Sequence, residues 1–308
     1  MTDIASLSLL GVYSAMLVYT ASFLFFTFDL AKRSAATPAL VMAGGGDAPA
    51  ESASESASPE RRGYQRIAIV LLVLGFVFHL LATLARGIAA NRVPWANMFE
   101  FGLTASVLIV AVFLGSLLWK DLAYLGAFVS GFVLLALGIV TVNFYVDVVP
   151  LPPALQSGWL VIHVFVASLA TAFFALGAGL SIFQLIRARF EAREMARAKL
   201  MKTIPSANVL ESLAYRLNVI GFVMWSFTLI AGAIWAERAW GRYWGWDTKE
   251  VWTFIIWVLF AGYIHARATR GWRGSRSAIL AIVGFGAVLF NYTVVNIAFT
   301  GLHSYSGL

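Results

Sequence analysis

The chain is expected to be all-α, a polytopic membrane helix bundle of about eight transmembrane helices, and three observations support this. Its 308 residues are 60% hydrophobic and 12% charged, with a mean hydropathy of +0.82, too apolar for a water-soluble surface. Eight apolar runs lie near the roughly 20 residues that an α-helix needs to cross a bilayer. The Lys and Arg residues also gather in alternate connections between those runs.

The runs cover residues 7–28, 67–90, 98–119, 122–142, 159–186, 217–236, 251–266 and 278–299. The first follows Asp3, has no Lys or Arg ahead of it and lacks a small-residue cleavage site, so residues 1–30 read as a retained first helix, not a cleaved signal peptide. Residues 31–63 read as a cytoplasmic linker. Their stretch SAATPALVMAGGGDAPAESASESASPE is small, acidic and rich in Gly and Pro, a composition with too little apolar surface to fold alone and expected to be disordered. Residues 64–308 form a seven-helix core. Within it, residues 187–202 mix Arg, Glu and Ala and predict a solvated extension of the fifth helix. No internal repeat points to an inverted-repeat transporter.

Orientation follows from positive charge, which is retained on the cytoplasmic side. With both termini outside, seventeen of the 22 Lys and Arg residues fall on the inner side, and only Arg86, Arg92, Arg238, Arg242 and Lys249 on the outer. The formal charge of +7 is therefore a topology signal and gives no support to nucleic-acid binding. The sequence contains no cysteine, so thiolate metal sites and CxxC redox chemistry are excluded for this chain, and any thiol must come from a partner.

The outer connection at residues 237–252 is the most informative segment. With the end of the sixth run it reads WAERAWGRYWGWDTKEVW, beginning at Trp235. Aromatic residues gather at membrane interfaces because one edge is apolar and the other forms hydrogen bonds, which accounts for two or three of them. The concentration of Trp240, Tyr243, Trp244, Trp246 and Trp252, with Gly241 and Gly245 permitting close approach, suits a large flat apolar ligand. Asp247, followed by Glu250 ahead of an apolar run, also matches a helix capping box, a structural role compatible with ligand binding.

The stretch WGRYWGWDTKEVW resembles the WWD signature of the haem-handling proteins of cytochrome c maturation, and the terminal GLHSYSGL resembles the end of the CcsA/ResC branch, or system II. Eight spans with the motif between the sixth and seventh favour that branch over the related CcmC and CcmF proteins. Thr248 stands where the family often has Pro, a change that a first-turn position tolerates. The resemblance implies that haem b, one or two per chain, is bound in a multi-pass bacterial cytoplasmic membrane protein with its haem site on the extracytoplasmic face. It implies that the WWD loop, including Trp240, Gly241, Tyr243, Trp244, Trp246, Asp247, Lys249, Glu250 and Trp252, contacts haem. It further implies a CcsB/ResB-type membrane partner, an apocytochrome c, a thiol-reducing protein, and a role as the haem-binding subunit of a cytochrome c synthetase forming thioether bonds. No catalytic side chain is assigned.

Four histidines are present, His79, His163, His265 and His303. A single His in an apolar helix is more often a packed, hydrogen-bonded residue than a ligand, so position has to decide. His163 near the outer start of the fifth run and His303 beyond the outer end of the eighth can both reach the Trp-rich face, and two neutral imidazoles make a six-coordinate haem iron. The resemblance assigns this pair to an external haem, and His79 with His265 to a second haem within the membrane. Polar residues inside spans are costly and usually functional, although counting along the runs places His79 and His265 at different depths. Arg86 and Arg92, at the outer end of the second run, are candidates for haem propionates; snorkelling to the interface or pairing with Glu100 is the structural alternative. Two other classes of function compete: an electron-transferring membrane cytochrome b, which would keep both His pairs inside helices, and a transporter whose Trp loop only anchors it.

Overall fold

A computed structural model describes residues 2–43, 59–192, 204–269 and 272–303. Nine α-helices are present among them: α1 (Thr2–Ala43), α2 (Pro59–Ala90), α3 (Met98–Trp119), α4 (Gly126–Asn143), α5 (Gly158–Ala192), α6 (Ala207–Trp240), α7 (Thr248–Ala268), α8 (Ser275–Tyr292) and α9 (Val294–Ala298). Short 3-10 turns at Ala123–Leu125 and Pro153–Leu155 lead into α4 and α5. Eight helical stretches are long and apolar enough to span a membrane, in the order expected.

The helices differ from the expected spans chiefly at their ends. The backbone of α1 runs to Ala43 and α2 starts at Pro59, so helix enters both ends of the expected linker, whose residues 44–58 lie outside the described set. At about 1.5 Å per residue, α5 and α6 exceed the roughly 30 Å hydrocarbon core. Arg187 and Glu191 form an i,i+4 ion pair at 2.8 Å on the α5 extension, and the rest of the predicted extension, 193–202, lies outside the described residues.

Between apolar helices in a bilayer, close packing and interhelical hydrogen bonds replace the hydrophobic effect as the attractive terms. Helices α5 and α6 meet through small residues. Gly177 lets α6 approach so closely that a side chain there would collide with Asn218, and Gly221 makes room for the ring of Phe174. Phe174 in turn stacks on Phe260 of α7, with ring centroids 3.6 Å apart. Helices α1 and α2 are joined by two hydroxyls that reach across to backbone carbonyls, Ser8 to Ala82 at 2.7 Å and Ser22 to Ala68 at 2.9 Å.

At the end of the bundle where α7 meets α8, the buried Glu211 carboxylate of α6 pairs with Arg267 of α7 at 2.8 Å and accepts from the Gly274 amide at 3.0 Å, just ahead of α8. At the opposite end, the expected eighth span is interrupted. Helix α8 stops at Tyr292, Thr293 takes φ −92° and ψ −74°, and α9 begins at Val294. Two side chains capture carbonyls at the break: Lys249 Nζ donates to Asn291 O at 2.7 Å, and Asn296 Nδ2 donates to Tyr292 O at 2.7 Å.

Candidate functional site

The connection from α6 to α7 is built by its local sequence. Gly241 ends α6 with φ +69°, a left-handed conformation that glycine adopts without side-chain strain, and its N–H closes on Glu237 O at 2.7 Å. Asp247 and Glu250 form the expected capping box at the start of α7. Glu250 does more than cap, because its Oε2 accepts from the N–H of Gly245 at 2.8 Å and of Asp247 at 3.1 Å. Those two amides flank Trp246, which has φ +58°, a strained conformation for a bulky residue. The Glu250 carboxylate thus holds the loop in a shape that it would otherwise leave.

A mostly apolar cavity of about 640 Å³ opens beneath this loop, between α3, α4, α5, α6, α7 and α8. It is within the roughly 300–1,000 Å³ typical of small-molecule and cofactor sites. Tyr243, Trp244, Lys249 and Glu250 line it from the loop side, with His163, Trp235 and His303 around the same space.

His163 and His303, separated by most of the core in sequence, both contact one indole. Trp235 stacks on His163 with ring centroids 5.8 Å apart and meets His303 edge-on at 5.3 Å. Trp240 also packs edge-on against His303, at 4.8 Å. The indole N–H of Trp235 donates to Ala154 O at 2.9 Å, so the loop ahead of α5 fixes it in place.

Each imidazole also has a defined tautomer. His163 Nδ1 lies 3.0 Å from the Thr228 carbonyl and His303 Nδ1 lies 3.0 Å from Asp247 Oδ1. A carbonyl and a carboxylate accept only, so both Nδ1 atoms carry a proton, and in the neutral ring this leaves Nε2 with the lone pair by which imidazole binds a metal. Gly232 of α6 makes the His163 position possible: a Cβ there would stand 2.7 Å from the ring's Cε1.

Asp247 is the hub of the other imidazole. Its Oδ1 accepts from the Lys249 amide at 3.0 Å and its Oδ2 from the Leu302 amide at 2.9 Å, in addition to His303. The His303 hydrogen bond, with help from those two amides, holds the Asp247 carboxyl down at about 2 against the ordinary 3.8. Gly301 permits this approach, since a side chain at that position would collide with Asp247 Oδ2.

The other candidates lie elsewhere. Trp246 is 76% exposed and Trp252 packs on Phe290 at 4.3 Å, so neither lines the cavity. Arg86 and Arg92 are both bound to Glu100, Arg86 Nε at 3.0 Å and Arg92 Nη1 at 2.5 Å, and Arg86 also donates to Val146 O at 2.7 Å. This buried cluster ties the end of α2 to the start of α3 and to the loop before α5, and its arginines do not line the cavity. The structural alternative considered for these arginines is therefore the arrangement found.

His79 and His265 are not brought together. His79 is fully buried, donates from Nε2 to Leu103 O at 3.0 Å and accepts at Nδ1 from the Tyr19 hydroxyl at 3.3 Å, so neither nitrogen is open to a ligand. His265 is exposed in the last turn of α7. Helix α2 packs chiefly on α1 and α3, whereas α7 packs chiefly on α8 and α6.

Trp235 was not among the sequence candidates, although it touches both outer imidazoles. The available signal was its position five residues ahead of Trp240, at the start of the aromatic stretch.

Fold and site together define a polytopic helical membrane protein with an aromatic-walled cavity flanked by two imidazoles of metal-binding tautomer. The chain belongs to the family described as cytochrome C assembly protein, whose sequence profile matches residues 95–303, from just ahead of α3 to His303. It is 37% identical over 243 residues to the cytochrome c biogenesis protein CcsA of Guillardia theta, covering 72% of this chain and 80% of that relative. It is 36% identical over 273 residues to the CcsA of a Synechococcus elongatus strain, covering 72% and 81%. Among solved structures, the cytochrome c haem lyase CcmF has a similar fold, with a TM-score of 0.63 at 16% identity over 94% of this chain. The similarity spans 46% of the haem lyase chain.

Proposed function

We propose that the cavity beneath the Trp-rich loop receives one haem b, whose iron His163 and His303 would hold, and presents it for covalent attachment to an apocytochrome c. The observation that carries this reading is the pair of imidazoles, 5.8 and 5.3 Å from the shared Trp235 indole, each with Nδ1 anchored and Nε2 left as a lone-pair donor. The tautomers and aromatic walls fit a tetrapyrrole iron, because bound imidazoles usually donate their second nitrogen to a carboxylate or backbone carbonyl.

The vinyl groups of the bound haem would supply the carbons of the thioether bonds, and the thiols would come from the apocytochrome, since this chain has no cysteine. The protein's own contribution is orientation: Thr228 and Asp247 set the imidazole planes, Trp235 and Trp240 support them, and the apolar walls exclude water. The reading places the cavity on the extracytoplasmic face of a bacterial cytoplasmic membrane, with both termini on that side, which the positive charge in the opposite connections supports. The chain would act as the haem-binding subunit of a cytochrome c synthetase, with a CcsB/ResB-type partner and an upstream thiol reductant. A second haem between His79 and His265 would require His79 to give up a hydrogen bond and the two residues to meet, so the proposal is confined to the outer cavity.

Replacing His163 and His303 with Ala, singly and together, tests the assignment. The expected result is loss of the six-coordinate haem spectrum from the purified protein and of covalent haem on a co-expressed apocytochrome. Undiminished attachment in the double variant would refute it.

A further inference from the structure

We infer that the Lys249 ammonium is the anion anchor of the cavity, donating a hydrogen bond to a carboxylate of the bound tetrapyrrole, an inference that rests on the haem reading above. The sequence suggested Arg86 and Arg92 for this role, but both are bound to Glu100 away from the cavity. Lys249 lines it.

Three features of Lys249 point to a ligand. First, an ammonium has three N–H donors, and Lys249 spends two of them, on Asn291 O at 2.7 Å and Asn296 Oδ1 at 3.0 Å. Both acceptors are neutral. Among the described residues no carboxylate comes within ion-pair distance of this ammonium, since Asp247 is occupied by His303 and the amides of Lys249 and Leu302, and Glu250 turns back to Gly245 and Asp247.

Second, Lys249 stands in the first turn of α7, where the positive end of the helix dipole disfavours a cation and favours an anion. A ligand carboxylate at this point would gain from the ammonium and from the helix end together. Third, the side chain is tied to the end of a neighbouring helix. Lys249 takes the Asn291 carbonyl where α8 ends, so its ammonium is fixed between the start of α7 and the end of α8. The two acceptors hold the ammonium at the wall shared with His163 and His303, while its third N–H remains for the ligand.

The test titrates the full-length protein in detergent with ferric haem b and with haem b dimethyl ester, in which both carboxylates are masked. A charge-assisted hydrogen bond is worth about 1.5–3 kcal/mol, so the wild type is expected to bind haem at least about tenfold more tightly than the diester. Lys249→Met is expected to bind both with the weaker affinity, and Lys249→Arg to keep a preference for the free acid. Equal affinity of the wild type for haem and diester overturns the inference without relying on any variant, as does a Lys249→Met protein that keeps the full preference. If the wild type binds neither compound, or if binding survives loss of both His163 and His303, the haem reading itself fails and the inference with it.

Discussion

Asp247 and His303 are joined by a 3.0 Å hydrogen bond across 56 residues, so the carboxylate that caps α7 also orients an imidazole arriving from the far end of the chain. One residue therefore both starts a helix and orients an imidazole. Replacing Asp247 with Ala is expected to lower haem affinity by about 10- to 100-fold, the usual effect of losing a group that orients a metal ligand. Absorbance titration measures this, and hydrogen exchange should show the Leu302 amide losing protection at the same time.

The same contact has a defined pH response. The folded Asp247 carboxyl is depressed to about 2 from an ordinary 3.8, so its stabilising contribution is present above 3.8 and is lost as pH falls through about 2. Protection of the Leu302 amide is accordingly expected to be the same at pH 7 and pH 5. A fall in protection within that interval would show that the Asp247 carboxylate does not hold the segment.

Gly232→Ala places a methyl group 2.7 Å from His163 Cε1, forcing the ring from its contact with Thr228. Although Ala favours helix over Gly by about 1 kcal/mol, the variant is expected to lose the six-coordinate haem spectrum. Gly286→Ala, where nothing stands within 4 Å, is the matched control and should leave the spectrum unchanged.

Glu100→Ala leaves two buried guanidinium groups without their shared carboxylate. Breaking a buried pair in this way costs about 3–5 kcal/mol, and the detergent-solubilised protein should melt at markedly lower temperature. Double replacement of Arg86 and Glu100 by Met and Gln is expected to recover part of that loss.

Trp235→Ala removes a side chain that is 2% exposed and touches both outer imidazoles. The cavity left behind should cost about 3–5 kcal/mol, and haem binding should weaken along with stability. Trp235→Phe, which keeps a ring but not the N–H to Ala154 O, is expected to fall between the two.

What could be read from the sequence was local or repetitive. The spans follow from runs of apolar residues, and the Asp247–Glu250 capping box follows from a three-residue spacing. The pairing of Glu100 with Arg86 and Arg92 was legible as an alternative, because the residues border the same short connection. The contacts that build the site were not legible, since Asp247 with His303, Lys249 with Asn296, and Trp235 with His163 each join separate helices and depend on how those helices cross. The sequence could count a difference in depth between His79 and His265, and the structure buries the first and exposes the second. Sequence alone could not foresee the Tyr19 hydroxyl that takes up the second nitrogen of His79.

The chain leaves helical geometry at Phe299, and that departure decides where His303 arrives. Were the helix to continue through residue 303, His303 would stand about 16 Å farther along the axis than Tyr292, at 1.5 Å per residue. The non-helical segment after α9 instead brings His303 to the cavity wall, where Asp247 holds it as a catch holds a latch. Lengthening the stretch between α9 and Gly301 by a single residue should therefore disengage the imidazole while leaving every membrane-crossing helix intact.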